Sequence, residues 1–317
     1  MVGKFKVAAG TITYGNRAEF LHKNIDELIR EGFDCIYVLF NGVSGHVVTE
    51  TKARYAGRQV FFIVSEKNEG SAGGYFRLLR YVLKHDRCDR LLLLDDDNLV
   101  PRGFLSRALD VCGSSRDIFY FHRPDRMLPL QTFLARQPWK ILGSDGNFLG
   151  RNVFSDSPFG LSAFEGDLLA APYGGLFLPR AAVEKRIFPD RNFYLYADDY
   201  DYTFRLCSEG GFNISFVRHP EIIDLEKSFH LLNPGFSLLR NRYSGASEQQ
   251  LYFSVRNQVY FSLRESSRAV KFFVNMAVIS PMFLMQFLMT FEYQKAYIFL
   301  KAMIAGTRWG LGSRSAD

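Results

Sequence analysis

An α/β fold, with a mostly parallel sheet flanked by helices and a helical C-terminal extension, is the class this 317-residue sequence predicts. Three observations predict it. From residue 5 to about 100, apolar runs of strand length alternate with amphipathic stretches of helix length. One of these runs, the four leucines at 91–94, is apolar without alternation, as a strand buried on both faces requires. Beyond residue 235 the punctuation typical of strands disappears and long Phe-rich apolar segments replace it.

The elements follow in order. FKVAAGTIT (5–13) reads as a strand, and EFLHKNIDELIREG (19–32) as an amphipathic helix that ends at Gly32. DCIYVLFNG (34–42) and RQVFFIVSE (58–66) are further strands. SAGGYFRLLRYVLKH (71–85) is a glycine-led helix and DRLLLLDDD (89–97) a fourth strand. PRGFLSRALDVC (101–112) is helical and DIFYFHRP (117–124) a strand, while QPWKILGSDGNFLGRN (137–152) has the content of a long loop or hairpin. APYGGLFLPRAAVEKR (171–186) is strand and then helix. FYLYADDYDYTFRLCSEGG (193–211) is a strand end followed by a helix stopped by Gly210 and Gly211, and NISFVRHPEIID (213–224) is one more strand. These readings divide the chain into an α/β domain at 1–235, with a first half to about 100 and a second half from 101, and a helical region at 236–317.

Composition narrows the function. The 31 phenylalanines imply broad apolar surfaces, and a formal net charge of +6 suits an anionic partner, either a phosphorylated small molecule or an acidic membrane surface. The basic residues are scattered rather than gathered in one patch, which argues against nucleic acid. Cys35, Cys88, Cys112 and Cys207 form no C-x-x-C pair, so zinc and dithiol motifs are excluded and reduced thiols in a cytosolic compartment are expected. The N-terminus lacks the apolar core of a signal peptide. Phe272–Phe291 is a 20-residue run without a charged residue, close to a membrane span in length. Pro281 interrupts it, and basic residues flank both ends (Arg264, Arg268 and Lys271 before; Lys295, Lys301 and Arg308 after). That symmetry favours a helix pair lying in the membrane interface over a span, with a buried core helix as the other reading.

Function in such sheets gathers at the carboxyl ends of the strands, here ITYGNR (12–17), FNGVSG (40–45) and DDDN (95–98). On an extended strand Asp95 and Asp97 share a face and Asp96 points the other way. Two carboxylates on one face repel unless a cation intervenes, and Mg²⁺ or Mn²⁺ holding a nucleotide diphosphate resolves the conflict. The small residues Ser71 to Gly74 lead into a helix whose first N–H groups can receive an anion, although the stretch is neither a Walker loop nor a dinucleotide fingerprint. In YADDYDYTFRL (196–206), Asp198 is placed to cap a helix, with Asp199 and Asp201 in its first turn. Any of the three acids is a candidate base for a sugar hydroxyl. His230, after the last strand, is a candidate metal ligand.

In this order, the segments resemble the inverting family-2 glycosyltransferases of the GT-A fold, and within them the bacterial rhamnosyl- and galactofuranosyltransferase branch. TITYGNRAEFL, NEGSAGGYFRLLRYVL, LLLLDDDNLVP, YGGLFLPRAAVEK, FYLYADDYDYTFRL and LYFSVRNQVYF carry the resemblance, which runs from about residue 7 to 262. It implies Asp95 and Asp97 as metal ligands for Mn²⁺ or Mg²⁺, with His230 completing the site, and Asp199 as catalytic base. It places Thr11, Tyr14, Arg17, Asn41, Asn68, Gly73, Gly74 and Asp96 around the nucleotide, and Tyr173, Gly174 and Asp198 on the acceptor side. Galactofuranosyl relatives carry two tryptophans where this chain has Tyr173 and Gly174. The resemblance further implies a nucleoside-diphosphate sugar donor, an oligosaccharide or lipid-linked glycan acceptor, and peripheral attachment to the cytoplasmic face of the inner membrane. Sugar nucleotidyltransfer, an aspartate phosphatase and a non-catalytic assembly scaffold are rival readings. The first lacks its basic glycine loop in GTITYGNR, the second the threonine expected after DDDNL, and the third has no reason to keep both acidic clusters.

Overall fold

The computed structural model describes residues 5–124, 148, 149, 153, 167, 168, 170–226, 243–265 and 269–314. Two compact units divide them. The first holds residues 5–124, 167–194 and 198–226, as far as these are described; the second holds 148, 149, 153, 195–197, 243–265 and 269–314.

In the first unit the strands are β1 (Val7–Thr13), β2 (Cys35–Asn41), β3 (Val60–Ser65), β4 (Arg90–Asp95), β5 (Asn98–Leu99), β6 (Ile118–Phe121), β7 (Asp167–Leu168), β8 (Leu176–Pro179), β9 (Ile214–Val217) and β10 (Ile223–Asp224). The helices are α1 (Ala18–Glu31), α2 (Gly45–Arg54), α3 (Gly70–His85), α4 (Phe104–Cys112), α5 (Arg180–Glu184) and α6 (Asp198–Ser208). Eight strands form one sheet in the order β3-β2-β1-β4-β8-β6-β9-β7, and β5 pairs with β10 beside it. Pairings from β3 through β4 are parallel, as is β6 with β9. The mostly parallel sheet expected from the sequence is therefore present, but β8 runs antiparallel to both β4 and β6, and β7 antiparallel to β9.

Local chemistry explains most elements. β1 and β2 are buried at every position, and the four leucines of β4 are fully buried, so both sheet faces are covered. In α1, Leu21, Ile25 and Leu28 recur at helical spacing and bury one stripe. Gly32, at φ 84°, closes the helix with its N–H on the carbonyls of Leu28 and Ile29. α3 lies so close to β1 that a Cβ on Gly74 would stand 2.9 Å from the Ile12 side chain. Three segments differ from the sequence expectation, one of them 213–224, which is not a single strand but divides into β9 and β10 in separate sheets. α2 has no counterpart there, because only Val48 and Thr51 of its ten residues are buried and the apolar stripe is too short to register. FYLY is not a strand end: residues 191–193 form a 3-10 turn and Tyr194, Tyr196 and Ala197 take positive φ (63°, 67°, 61°), which no extended strand allows.

The second unit contains α7 (Glu248–Glu265), α8 (Ala269–Met289) and α9 (Tyr293–Arg314). Its core includes Tyr243, Leu251, Val255, Phe272, Phe283, Phe287 and Phe299. α8 is long and apolar enough to cross a membrane by length and composition, and 39% of that stretch is buried.

Candidate functional site

β4 stops at Asp95, so the strict alternation expected for Asp95, Asp96 and Asp97 ends there and the next two residues form a turn. The three carboxylates accordingly meet different partners. Asp95 accepts from the Tyr75 hydroxyl (3.2 Å) and from Arg123 Nη1 (3.1 Å). Asp96 accepts from Thr13 Oγ1 (2.7 Å) and from Arg17 Nε (2.9 and 3.0 Å). Asp97 pairs with Arg17 Nη2 at 3.6 Å, and its backbone carbonyl accepts from the Leu225 N–H.

Pairing of β5 with β10 brings two further acids to the turn. Asn98 stands opposite Asp224 and donates to it (2.7 Å), while Arg17 Nη1 reaches Glu226 at 2.5 Å. Arg123, just beyond β6, reaches Asp224 with Nε (2.9 Å) and Nη2 (2.5 Å) as well as Asp95. Its guanidinium lies where Gly174 leaves room, since a Cβ on Gly174 would overlap Arg123 Nη1 and the Asn98 amide oxygen. Among the described residues these five carboxylates meet the two guanidinium groups of Arg17 and Arg123, a local excess of negative charge. Burial pushes the Asp96 carboxyl up to about 6 in spite of Arg17, and burial together with the neighbouring Asp95 pushes Asp97 up to about 7.

That charge deficit is the test of whether a divalent cation fits. Asp95 and Asp97 are hard oxygen donors, adjacent at a strand end, and short of positive charge. They fit Mg²⁺ or Mn²⁺ in the mode that takes two protein ligands and leaves the rest to phosphate and water. Among the described residues no group of three or more His, Cys, Asp or Glu side chains is arranged to hold a metal. His230, the expected third ligand, lies outside the described residues.

The structure brings the second acidic cluster to the first through two tyrosines. Tyr75, on α3, donates to the Leu94 carbonyl (2.9 Å) and to Asp95, and stacks on Tyr173 with ring centroids 3.8 Å apart. Tyr173 is buried, packs against Tyr202 as well, and its hydroxyl lies beside Asp198. Asp198 is the first residue of α6 and accepts from Ser71 Oγ (2.9 Å). Complete burial and the adjacent Asp199 hold its pKa well above the usual carboxylate range. Asp199 is half-buried and accepts from the Tyr200 N–H (2.9 Å). Asp201 is engaged by Arg205 (2.7 Å) one turn along the helix, a structural pair.

The remaining expected residues fall as follows. Tyr14 is exposed beside Arg17, whose guanidinium sits 5.3 Å from the Tyr14 ring centre. Thr11 is buried on β1. Asn41 donates to Gly70 O (2.8 Å) and Asn68 Oδ1 (3.2 Å) and accepts from the Glu69 N–H (2.9 Å), so it clamps the loop that enters α3. Asn68 accepts from the Gly70 N–H (2.9 Å). At the start of α3 the Ala72 N–H goes to Tyr194 O and the Gly73 N–H to Glu69 O, so these donors already have protein partners. In the second unit, Asn257 donates to the carbonyls of Leu195 (2.7 Å) and Tyr196 (2.9 Å), which precede Asp198 in sequence.

Tyr75, Arg123, Asp224 and Glu226 are the site residues that sequence reading missed. Arg123 left one signal: a cation two residues after the apolar strand IFYF, at the end where function gathers.

No protein-family model matches the chain, and no curated protein matches it in sequence. Solved structures do. The mannosyltransferase PcManGT from Pyrobaculum calidifontis, solved with GDP-Man and Mn²⁺, matches over 100% of this chain and 77% of its own (TM-score 0.51, 12% identity). GalNAc-T7, solved with UDP, GalNAc and Mn²⁺, matches over 82% of this chain and 50% of its own (TM-score 0.52, 11% identity). The chain has the GT-A fold. S. aureus TarS is also similar (TM-score 0.48, 13% identity, 89% of this chain); this chain spans 43% of its length. At these identities the likeness is one of fold.

Proposed function

We propose that this chain is an inverting, metal-dependent glycosyltransferase that moves a sugar from a nucleoside diphosphate, of the UDP-galactofuranose or dTDP-rhamnose type, to a lipid-linked glycan at the cytoplasmic face of the membrane. One observation carries the reading: the metal-fitting carboxylates at Asp95–Asp97 and the acid pair Asp198–Asp199 converge through Tyr75 and Tyr173 at the carboxyl edge of a GT-A sheet. Two matched structures of that fold were solved with nucleotide or nucleotide sugar and Mn²⁺, which supports it.

The roles follow from charge and position. Asp95 and Asp97 would hold Mn²⁺ or Mg²⁺. The bound ion supplies charge neutralisation for the departing nucleoside diphosphate. Thr11, Tyr14 and Arg17 line the nucleotide with Asp96, and Asn41, Asn68, Gly73 and Gly74 shape the loop beside it. Asp198, whose carboxyl pKa is raised by burial and by Asp199, stands on the acceptor side with Tyr173 and Gly174. Asp199, the more accessible acid, takes the proton as that oxygen attacks the anomeric carbon opposite the leaving group, which inverts configuration.

The test is donor hydrolysis across a panel of nucleotide sugars, with and without EDTA. Release of nucleoside diphosphate that stops on chelation and returns with Mn²⁺ is expected. Absence of turnover on every donor, at protein shown to be folded, counts against catalysis and for a scaffold.

A further inference from the structure

The exposed residues of α8 are all apolar, and Lys271, half-buried in its first turn, is the one charged residue beside them. The exposed positions include Val270, Val274, Val278, Met285, Leu288 and Met289, with Ala277 and Pro281 filling the same stripe. Their spacing places them on one side of a helix about 30 Å long. The opposite side holds all three uncharged polar residues of the core stripe, Asn275, Ser280 and Gln286, together with the phenylalanines. Asn275 Oδ1 accepts from the Val153 N–H (2.7 Å), and Phe283 packs against Tyr243 and Phe299. A helix bonded in this way to its own protein has only its outer face left for lipid.

The stripe continues at the turn into α9, where Phe291 is 77% and Tyr293 58% exposed. Along α9, Tyr297, Ile304 and Leu311 are exposed with Lys301 and Arg308 set between them. Apolar residues interleaved with long cationic side chains fit an interface where stems bury and charges stay with headgroups. The charge distribution points the same way. Residues 236–317 contain ten Lys and Arg against four Asp and Glu, so the whole chain's net +6 resides there and residues 1–235 balance to zero.

We propose that α8 and the α8–α9 turn lie in the plane of an anionic lipid surface, with the Val270–Met289 stripe immersed and Lys301 and Arg308 on the headgroups. Charge decides between this occupant and a second copy of the chain: pairing two such faces brings like-charged rims together, whereas anionic lipid complements them. The inference rests on the membrane part of the proposed function and is independent of its chemistry.

Flotation of the full chain with phosphatidylcholine vesicles, with and without about one-third phosphatidylglycerol, tests it. Binding is expected to rise at least about ten-fold with the anionic lipid and to be released by alkaline carbonate, as for an in-plane helix. V274E/M285E should lose it with an unchanged melting temperature, since both positions are exposed. K301Q/R308Q, which leaves the apolar stripe intact, should weaken it by about five-fold per charge removed. Flotation of V274E/M285E at the wild-type level overturns the proposal, as does wild-type protein that resists carbonate. A concentration-dependent dimer abolished by V274E/M285E overturns it too, by assigning the face to a second copy. Donor hydrolysis in vesicle-free solution, measured on the same variants, reports separately on the catalytic reading.

Discussion

Replacing Arg123 with methionine tests the electrostatic frame on which the site is built. The Arg123 side chain is 1% exposed and that of Asp224 is 2%. Their contacts, 2.9 Å through Nε and 2.5 Å through Nη2, leave no path for water to substitute. Methionine keeps the aliphatic stem and deletes the guanidinium, so Asp224 stays buried without its cation. Breaking such a pair from one side costs about 3–5 kcal/mol. Asp95, 36% exposed, is rehydrated and adds little. In a unit of this size each kcal/mol lowers the melting temperature by roughly 2–4 °C, so a drop of about 6–20 °C is expected by calorimetry. The double variant Arg123→Met with Asp224→Asn removes both charges and keeps an acceptor for Asn98, and it should recover most of the loss. A single variant that melts within about 2 °C of wild type refutes the argument. So does a double variant less stable than the single.

Three other outcomes are expected. Asp199→Asn should lower transfer by about 10²–10⁴-fold while nucleotide affinity, read by calorimetry, is unchanged; transfer near the wild-type rate would remove Asp199 as the base. Asp198, whose folded pKa is raised by burial, takes up a proton on folding, so its stabilising contribution is complete below the unfolded carboxyl value of about 4 and declines as pH rises above it. Asp198→Asn, which still accepts from Ser71, should therefore gain stability relative to wild type at pH 8 but not at pH 4, as urea melts at the two pH values will show. Gly70, at φ +70° with the Tyr194 carbonyl against the site of any Cβ, should not tolerate alanine: Gly70→Ala is expected to cost more than about 1 kcal/mol in the same melts.

Much of the donor side was legible because burial there is one-dimensional. β1, β2 and β4 are apolar at nearly every position, and such runs announce both a strand and its place in the middle of a sheet. Their ends then locate Asp95 without further information. The acceptor side was less legible because its geometry depends on contacts distant in sequence. Tyr75 and Tyr173 are core aromatics by pattern, and only the fold stacks them face to face. β5 and β10 are two residues each, too short for any periodicity, yet their pairing is what carries Asp224 to the DDDN turn. The antiparallel direction of β8 is equally hidden, since an apolar run reads the same in either direction.

That reversal of β8 has a consequence. β6 ends at Phe121 and its neighbour β8 begins at Leu176, with the Phe121 N–H closing onto the Gly175 carbonyl at 2.9 Å. The junction that sets Arg123 against Gly174 is therefore fixed by the sheet itself, and the pairings among β1, β2, β3 and β4 are set without it.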